Sequence, residues 1–219
     1  MADWKGRTAL IISGAPQQDI SYVMDIYERL EMPLIVCADR GLDYALKLGL
    51  QPDLFVADCD SSRECRNDLT EKCEIIKLLP EKDDTDTMHA LNIVIDRGCK
   101  NVVIVCATGG RIDHMMANLA LCEYSADRGV VCVLADERNL VECHAKDSVK
   151  IKKSNRFPYF SLIPLDACLE GVTIMGAKYP LQNHLVSRTE ILTISNEFDA
   201  EEVDISVKNG KWLLVRSGD

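Results

Sequence analysis

The stretch MPLIVCADRGLDYALKLGLQPDLFVADCD, residues 32–60, decides the fold. Two nearly continuous apolar runs, LIVCA and LFVAD, flank a helical pattern over residues 41–48. Strands exposed on one face alternate apolar and polar residues, whereas runs without alternation belong to strands covered on both faces. A strand, helix and strand in this order form a parallel crossover unit. Working outward, TALIISG (8–14), CEIIKLL (73–79), NVVIVCATGG (101–110) and VVCVLAD (130–136) extend the series of strands. Helical patterns over 18–30, 84–97 and 113–128 fall between them. This rhythm predicts an α/β domain with a Rossmann-like parallel sheet.

After about residue 144 the rhythm changes. SVKIKK, YFSLIPL, GVTIMGA, ILTISNEF, EEVDISVKNG and KWLLVRS follow one another without a helical pattern between them. Short strands separated by Gly, Asn and Pro predict an antiparallel, all-β sandwich domain. The polar segment ECHAKDS marks a boundary, so the expected domains are 1–143 and 144–219.

Composition narrows the function. The chain of 219 residues carries a formal net charge of -10, and no cluster of Lys and Arg is visible. Nucleic-acid and anionic-membrane partners are therefore not expected. The ten cysteines include no CxxC pair and several sit inside apolar runs. They read as buried small hydrophobes in a reducing, cytoplasmic setting. The N-terminal MADWKGRTAL lacks a signal-peptide pattern, and no apolar stretch reaches the length of a membrane span.

Ligands of open α/β sheets bind beyond the carboxyl ends of the strands. Asp39 ends LIVCAD, Asp58 and Asp60 end LFVADCD, PEKDDTD follows EIIKLL, and ATGGRIDH follows NVVIVC. On a strand, Asp58 and Asp60 share a face about 6.7 Å apart and repel by about 2.5 kcal/mol at an effective dielectric near 20. A hard divalent cation offsets that repulsion, and Asp86 supplies a third carboxylate. The alternative is two carboxylates solvated at the rim. Gly109 and Gly110 let backbone N–H groups approach an anion, and Arg111 can clamp a phosphate through its fork.

Each piece has a plainer reading. Asp39 with Gly41 fits a turn or cap, Asp83 or Asp84 fits a helix N-cap, Asp86 suits a helix N-terminus, and Asp113 caps a strand-to-helix turn. No GxxxxGK[ST], GxGxxG or GxSxG motif occurs. The four histidines have no zinc-site spacing and read as structural or solvated.

Taken in order, these segments resemble the thiamin pyrophosphokinase family. ADRGLDYALKLGLQPDLFVADCDS resembles its nucleotide segment, PEKDDTD its acidic motif and ATGGRIDH its GGRxDH motif. SLIPL, GVTIMGAKYPL and ISNEF resemble its C-terminal domain. The resemblance implies a homodimer that transfers the terminal pyrophosphate of ATP, with Mg²⁺, to the hydroxyl of thiamin and releases AMP. By position, it implies metal binding by Asp58, Asp60 and Asp86, with Asp113 also at the reacting centre. It implies ATP and phosphate contacts from Asp39, Gly41, Lys82, Thr108, Gly109, Gly110 and Arg111. Tyr179, Thr193, Ser195 and Asn196 would border thiamin. Three features depart from the family pattern: Arg40 stands for a usual Gly, Asp43 for a frequent Asn, and ADCDS for GDFDS. The alternatives are a pyrophosphokinase for a hydroxymethyl pterin, an aspartyl phosphatase suggested by DCDSS, and a sensor of thiamin or nucleotide without turnover.

Overall fold

The computed structural model describes residues 4–58, 69, 72–78 and 84–219, Asp58 in its backbone only. The described chain divides into two compact units, Met1–Asp136 and Glu137–Asp219. The strand Asn139–Ala145 belongs to the second of them.

In the first unit the strands are β1 (Thr8–Ile12), β2 (Leu34–Ala38), β3 (Leu54–Asp58), β4 (Glu74–Leu78), β5 (Asn101–Val105) and β6 (Val131–Ala135). All pair in parallel, in the order β6-β5-β1-β2-β3-β4. Every residue of β2 is buried, as its unbroken apolar run requires. The helices are α1 (Tyr22–Arg29), α2 (Gly41–Lys47), α3 (Asp86–Asp96) and α4 (Ile112–Ala126). The chain builds β1 to β4 on one side of β1, then returns to place β5 on the other. That reversal makes the carboxyl end of β1 a topological switch point, where the flanking loops diverge and leave a crevice.

Two helix starts differ from expectation for local reasons. Helix α1 begins at Tyr22 rather than residue 18 because Asp19 captures the backbone N–H of Ser21 at 2.9 Å and its hydroxyl at 2.7 Å, a turn that competes with helix. Helix α3 is capped by Thr85, whose Oγ1 accepts from the Met88 N–H at 3.2 Å, and not by Asp84. Asp83 lies outside the described residues.

The second unit contains β7 (Asn139–Ala145), β8 (Ser148–Lys152), β9 (Tyr159–Pro164), β10 (Cys168–Met175), β11 (Leu181–Ser187), β12 (Asn196–Glu197), β13 (Glu202–Ser206) and β14 (Lys211–Ser217). The antiparallel orders are β12-β9-β14-β7 and β11-β10-β13-β8. Alternate residues point inward: Phe160, Leu162, Trp212 and Leu214 from the first set pack with Leu169, Val172, Ile174, Val203 and Ile205 from the second. This is the two-layer core expected of a sandwich. ILTISNEF is strand only at Asn196–Glu197. Residues 191–195 instead form a turn that leaves Ile191, Leu192 and Ile194 exposed. Its close is set by Ser195, at φ 54°.

Candidate active site

A cavity of about 650 Å³ opens at the switch point of the first unit. Its floor is the loop Ser13–Pro16 after β1. The Ser13 and Ala15 N–H groups donate to the carbonyls of Val105 and Cys106, both at 2.9 Å, which ties the loop to the end of β5. Ser13 and Thr87 share a hydroxyl–hydroxyl hydrogen bond of 2.7 Å, which fixes the start of α3 over the same loop. Tyr44 donates its hydroxyl to the Ala15 carbonyl at 3.1 Å. The floor is thus held from three sides by buried or part-buried bonds.

On the β2 side the wall is Asp39 and Arg40. Asp39 adopts φ 50°, a left-handed conformation that short acidic residues tolerate. A side chain at Gly14 would stand 3.0 Å from Asp39 Oδ2, so glycine there leaves room for that carboxylate. Gly41 is shaped by packing: a Cβ would stand 1.9 Å from the Ile12 carbonyl oxygen. Its role is to let α2 approach the end of β1, and it does not line the cavity.

On the β5 side the wall is Gly109, Gly110 and Arg111. Both glycines have positive φ, 91° and 72°, and face Pro16 across the floor at 3.0 Å from where a Cβ would be. Thr108 lies just behind, its hydroxyl donating to Asp136 at 2.8 Å and its carbonyl accepting from Gln17 at 2.8 Å. It steadies the loop without lining the cavity. Arg111 occupies the N-cap position of α4 and grips Asp113 through Nε, at 3.1 Å, and a terminal nitrogen. Asp113 therefore faces Arg111 and is not the cap residue. The Arg111 bonds, with help from the His114 N–H, hold its carboxyl below the usual range, and the guanidinium is raised in turn.

Thr85, Asp86 and Thr87 close the cavity at the start of α3. Asp39, Asp86, Gly109, Gly110 and Arg111 thus meet in one place. Asp58 ends β3, two strands from β1, while Asp60 and Lys82 lie outside the described residues. Among the described residues no three His, Cys, Asp or Glu side chains cluster as a metal site. Ser13–Pro16, Thr87, His114 and Asn118 are lining residues that the sequence reading did not single out for the site. Gly14 after an apolar strand is the same signal that drew attention to Gly109 and Gly110. Asn118 is fixed by donating to the Ala107 carbonyl at 2.8 Å. Burial pushes the thiol of the nearby Cys106 up to about 11, which keeps it protonated.

The four residues expected near thiamin lie in the second unit. Asn196 is buried, and its Oδ1 accepts from the N–H groups of Tyr179 at 3.0 Å and Glu197 at 2.9 Å. Its Nδ2 donates to the Tyr179 carbonyl at 2.8 Å. Asn196 thereby fixes the backbone of Tyr179, an exposed residue. Thr193 donates its hydroxyl to the Leu162 carbonyl at 2.7 Å, and the Ser195 N–H donates to Ser161 at 2.9 Å. Both anchor the turn to β9.

An open parallel sheet with a glycine-lined, arginine-bearing cleft at its switch point, followed by an antiparallel β unit, defines a two-part protein built to hold a phosphorylated ligand. The model of "Thiamin pyrophosphokinase, catalytic domain" matches residues 29–134, and that of "Thiamin pyrophosphokinase, vitamin B1 binding domain" matches 147–212. The chain is 28% identical to thiamine pyrophosphokinase of Bacillus subtilis, over 97% of this chain and 100% of that one. The crystal structure of the Bacillus subtilis protein superimposes with a TM-score of 0.89, again over 97% and 100% of the two chains. A thiamin pyrophosphokinase family protein from Enterococcus faecalis is 32% identical, with a TM-score of 0.82 over 98% of this chain and 100% of that one. The chain belongs to the thiamin pyrophosphokinase family.

Proposed function

We propose that the protein transfers the pyrophosphoryl group of ATP to the hydroxyl of thiamin, giving thiamin pyrophosphate and AMP. The observation that carries this reading is the ordered pair of family matches, catalytic over 29–134 and vitamin B1 binding over 147–212, with the walls of the cleft, though not its Ser13–Pro16 floor, falling inside the first. No finding supports the pterin, phosphatase or sensor alternatives. In the proposed roles, Gly109, Gly110 and the N-terminal turn of α4 offer N–H groups to phosphate oxygens, where a helix end favours negative charge. Arg111 releases part of its grip on Asp113 to take a phosphate, and Asp113 or Asp86 orients the thiamin hydroxyl for in-line attack on the β-phosphorus. Positioning and electrostatics supply most of the acceleration.

The donor set fits a hard cation. Asp39 and Asp86 both line the cleft and are oxygen donors of the kind magnesium takes. Asp58, Asp60 and Asp86 are the proposed ligands, and Mg²⁺ bound there would neutralise charge on the phosphates. Asp39 and Lys82 are the further proposed ATP contacts. Tyr179, held by Asn196, is the proposed thiamin contact, with Thr193 and Ser195 shaping the turn beside it. We assign residues 1–143 to ATP binding and catalysis and 144–219 to thiamin binding.

A homodimer is part of the same reading, supported by Ile191, Leu192 and Ile194, exposed together in one turn. A cytoplasmic setting is supported by the described cysteines, all of which are free thiols. Among the described residues no helix is long and apolar enough to cross a membrane. The test is a mass-spectrometric acceptor panel with ATP and Mg²⁺. Thiamin should gain two phosphates while a hydroxymethyl pterin stays unmodified; the reverse selectivity, or a singly phosphorylated thiamin, overturns the proposal.

A further inference from the structure

Arg40 follows β2, and the cleft gives it a position. The sheet order places β2 on one side of β1 and β5 on the other. The floor loop therefore runs between Arg40, just after β2, and Arg111, at the N-cap of α4 after β5, and both arginines line the same cavity. Arg40 is held against the floor: a Cβ on Gly14 would be 3.2 Å from the Arg40 backbone nitrogen and 3.3 Å from its Cβ. The ends of β2 and β5, two strand spacings apart, are separated by about 10 Å, which leaves room between the two walls for an extended polyphosphate.

The two guanidinium groups are in different states. Arg111 is already engaged by Asp113. Arg40 makes no side-chain hydrogen bond or ion pair with any described residue. An exposed cation needs no partner in water, but one on the wall of a cleft becomes effective when a polyanion displaces that water. The carboxylates Asp39 and Asp86 line the cleft with it, and α3, which carries Asp86, packs over β1, β2 and β3. The β2 and β3 side is therefore where a cation-bridged pair of terminal phosphates would gather, leaving the glycine amides and Arg111 for the phosphate nearest the nucleoside.

We propose that Arg40 contacts the β- and γ-phosphates of the nucleotide donor and sets the preference of this cleft for a nucleoside triphosphate over a monophosphate. The assignment rests on the reading of ATP as the donor.

The test is calorimetric binding of ATP, ADP and AMP, with and without Mg²⁺, to the full-length wild type and to Arg40→Ala, Arg40→Gln and Arg40→Lys. Arg40→Ala should weaken ATP about tenfold, the scale of one lost charge-assisted contact, and ADP by less. AMP affinity should stay within about twofold, and Arg40→Lys should recover part of the ATP affinity. Arg40→Gln reads the same loss if the alanine variant does not fold. Unchanged ATP affinity, or an equal loss for ATP and AMP, overturns the assignment. Turnover of thiamin by the wild type is measured alongside. Its absence would count against the proposed reaction, whereas the ATP-to-AMP comparison judges Arg40 by itself.

Discussion

Replacing Gly41 by alanine tests whether the cleft is held by backbone contact rather than by side chains. The added Cβ would stand 1.9 Å from the Ile12 carbonyl oxygen and 2.6 Å from its carbon. Both are backbone atoms of a fully paired central strand, so neither can swing aside. Reaching even the 3.0 Å limit of real Cβ contacts requires α2 to retreat by about 1.1 Å. Overpacking of this kind costs about 1–3 kcal/mol. Asp39 and Arg40 immediately precede Gly41 and move with it, and a misplacement of about 1 Å at a reacting site can cost about 100-fold in rate. Urea denaturation and steady-state kinetics with ATP and thiamin measure the two effects. Gly49→Ala is the control: φ is +73° but nothing lies within 4 Å of its Cβ, so about 1 kcal/mol of strain should appear with kinetics unchanged. A Gly41→Ala protein with wild-type stability and wild-type kinetics would refute the packing argument.

Three further outcomes are expected. Asn196→Ala leaves the Tyr179 and Glu197 N–H groups without their acceptor and should cost about 1–3 kcal/mol in urea, with a raised KM for thiamin and an unchanged KM for ATP; equal effects on both substrates would contradict its role in presenting Tyr179. Asp86→Asn should keep the melting temperature and lower Mg²⁺-dependent turnover by about 100-fold, and chelation by EDTA should abolish turnover until Mg²⁺ is restored; full activity in EDTA would remove the metal from the account. Burial disfavours the charged form of His144, but Glu142 and Asp147 outweigh it and raise its pKa. A raised pKa stabilises below the ordinary histidine value and fades as pH rises through the folded one. The wild type should therefore lose more stability than His144→Gln between about pH 6 and about pH 8, measured by urea midpoints. The opposite slope would contradict the sign.

The α/β half was legible because most of its strands are apolar runs: LIVCA is buried throughout and TALII in all but Thr8, while only the edge strand EIIKL is largely open to solvent. The β half was harder. β7 (NLVECHA) and β11 (LQNHLVS) went unread because most of their residues are partly or fully exposed and no clean alternation appears. ILTISNEF misleads in the other direction, since its apolar residues read as strand while the chain leaves Ile191 83% exposed in a turn. Within the site, the acidic and glycine positions after strands were readable from rim logic alone. Gly41 and Thr108 do not line this cavity; that a Cβ at Gly41 would meet the Ile12 carbonyl oxygen at 1.9 Å, and that Thr108 bonds Asp136, are properties of the folded chain. The Ser13–Pro16 floor follows β1 with a single glycine and no charged residue, a weaker signal than the paired glycines and arginine after β5.

The reaction itself is tested most directly by following labelled phosphates. With thiamin and Mg²⁺, ATP labelled in the α-phosphate should yield label only in AMP, and ATP labelled in the γ-phosphate should yield label only in thiamin pyrophosphate, in equal amounts. Label from the γ-phosphate in orthophosphate, or from the α-phosphate in ADP, would contradict pyrophosphoryl transfer.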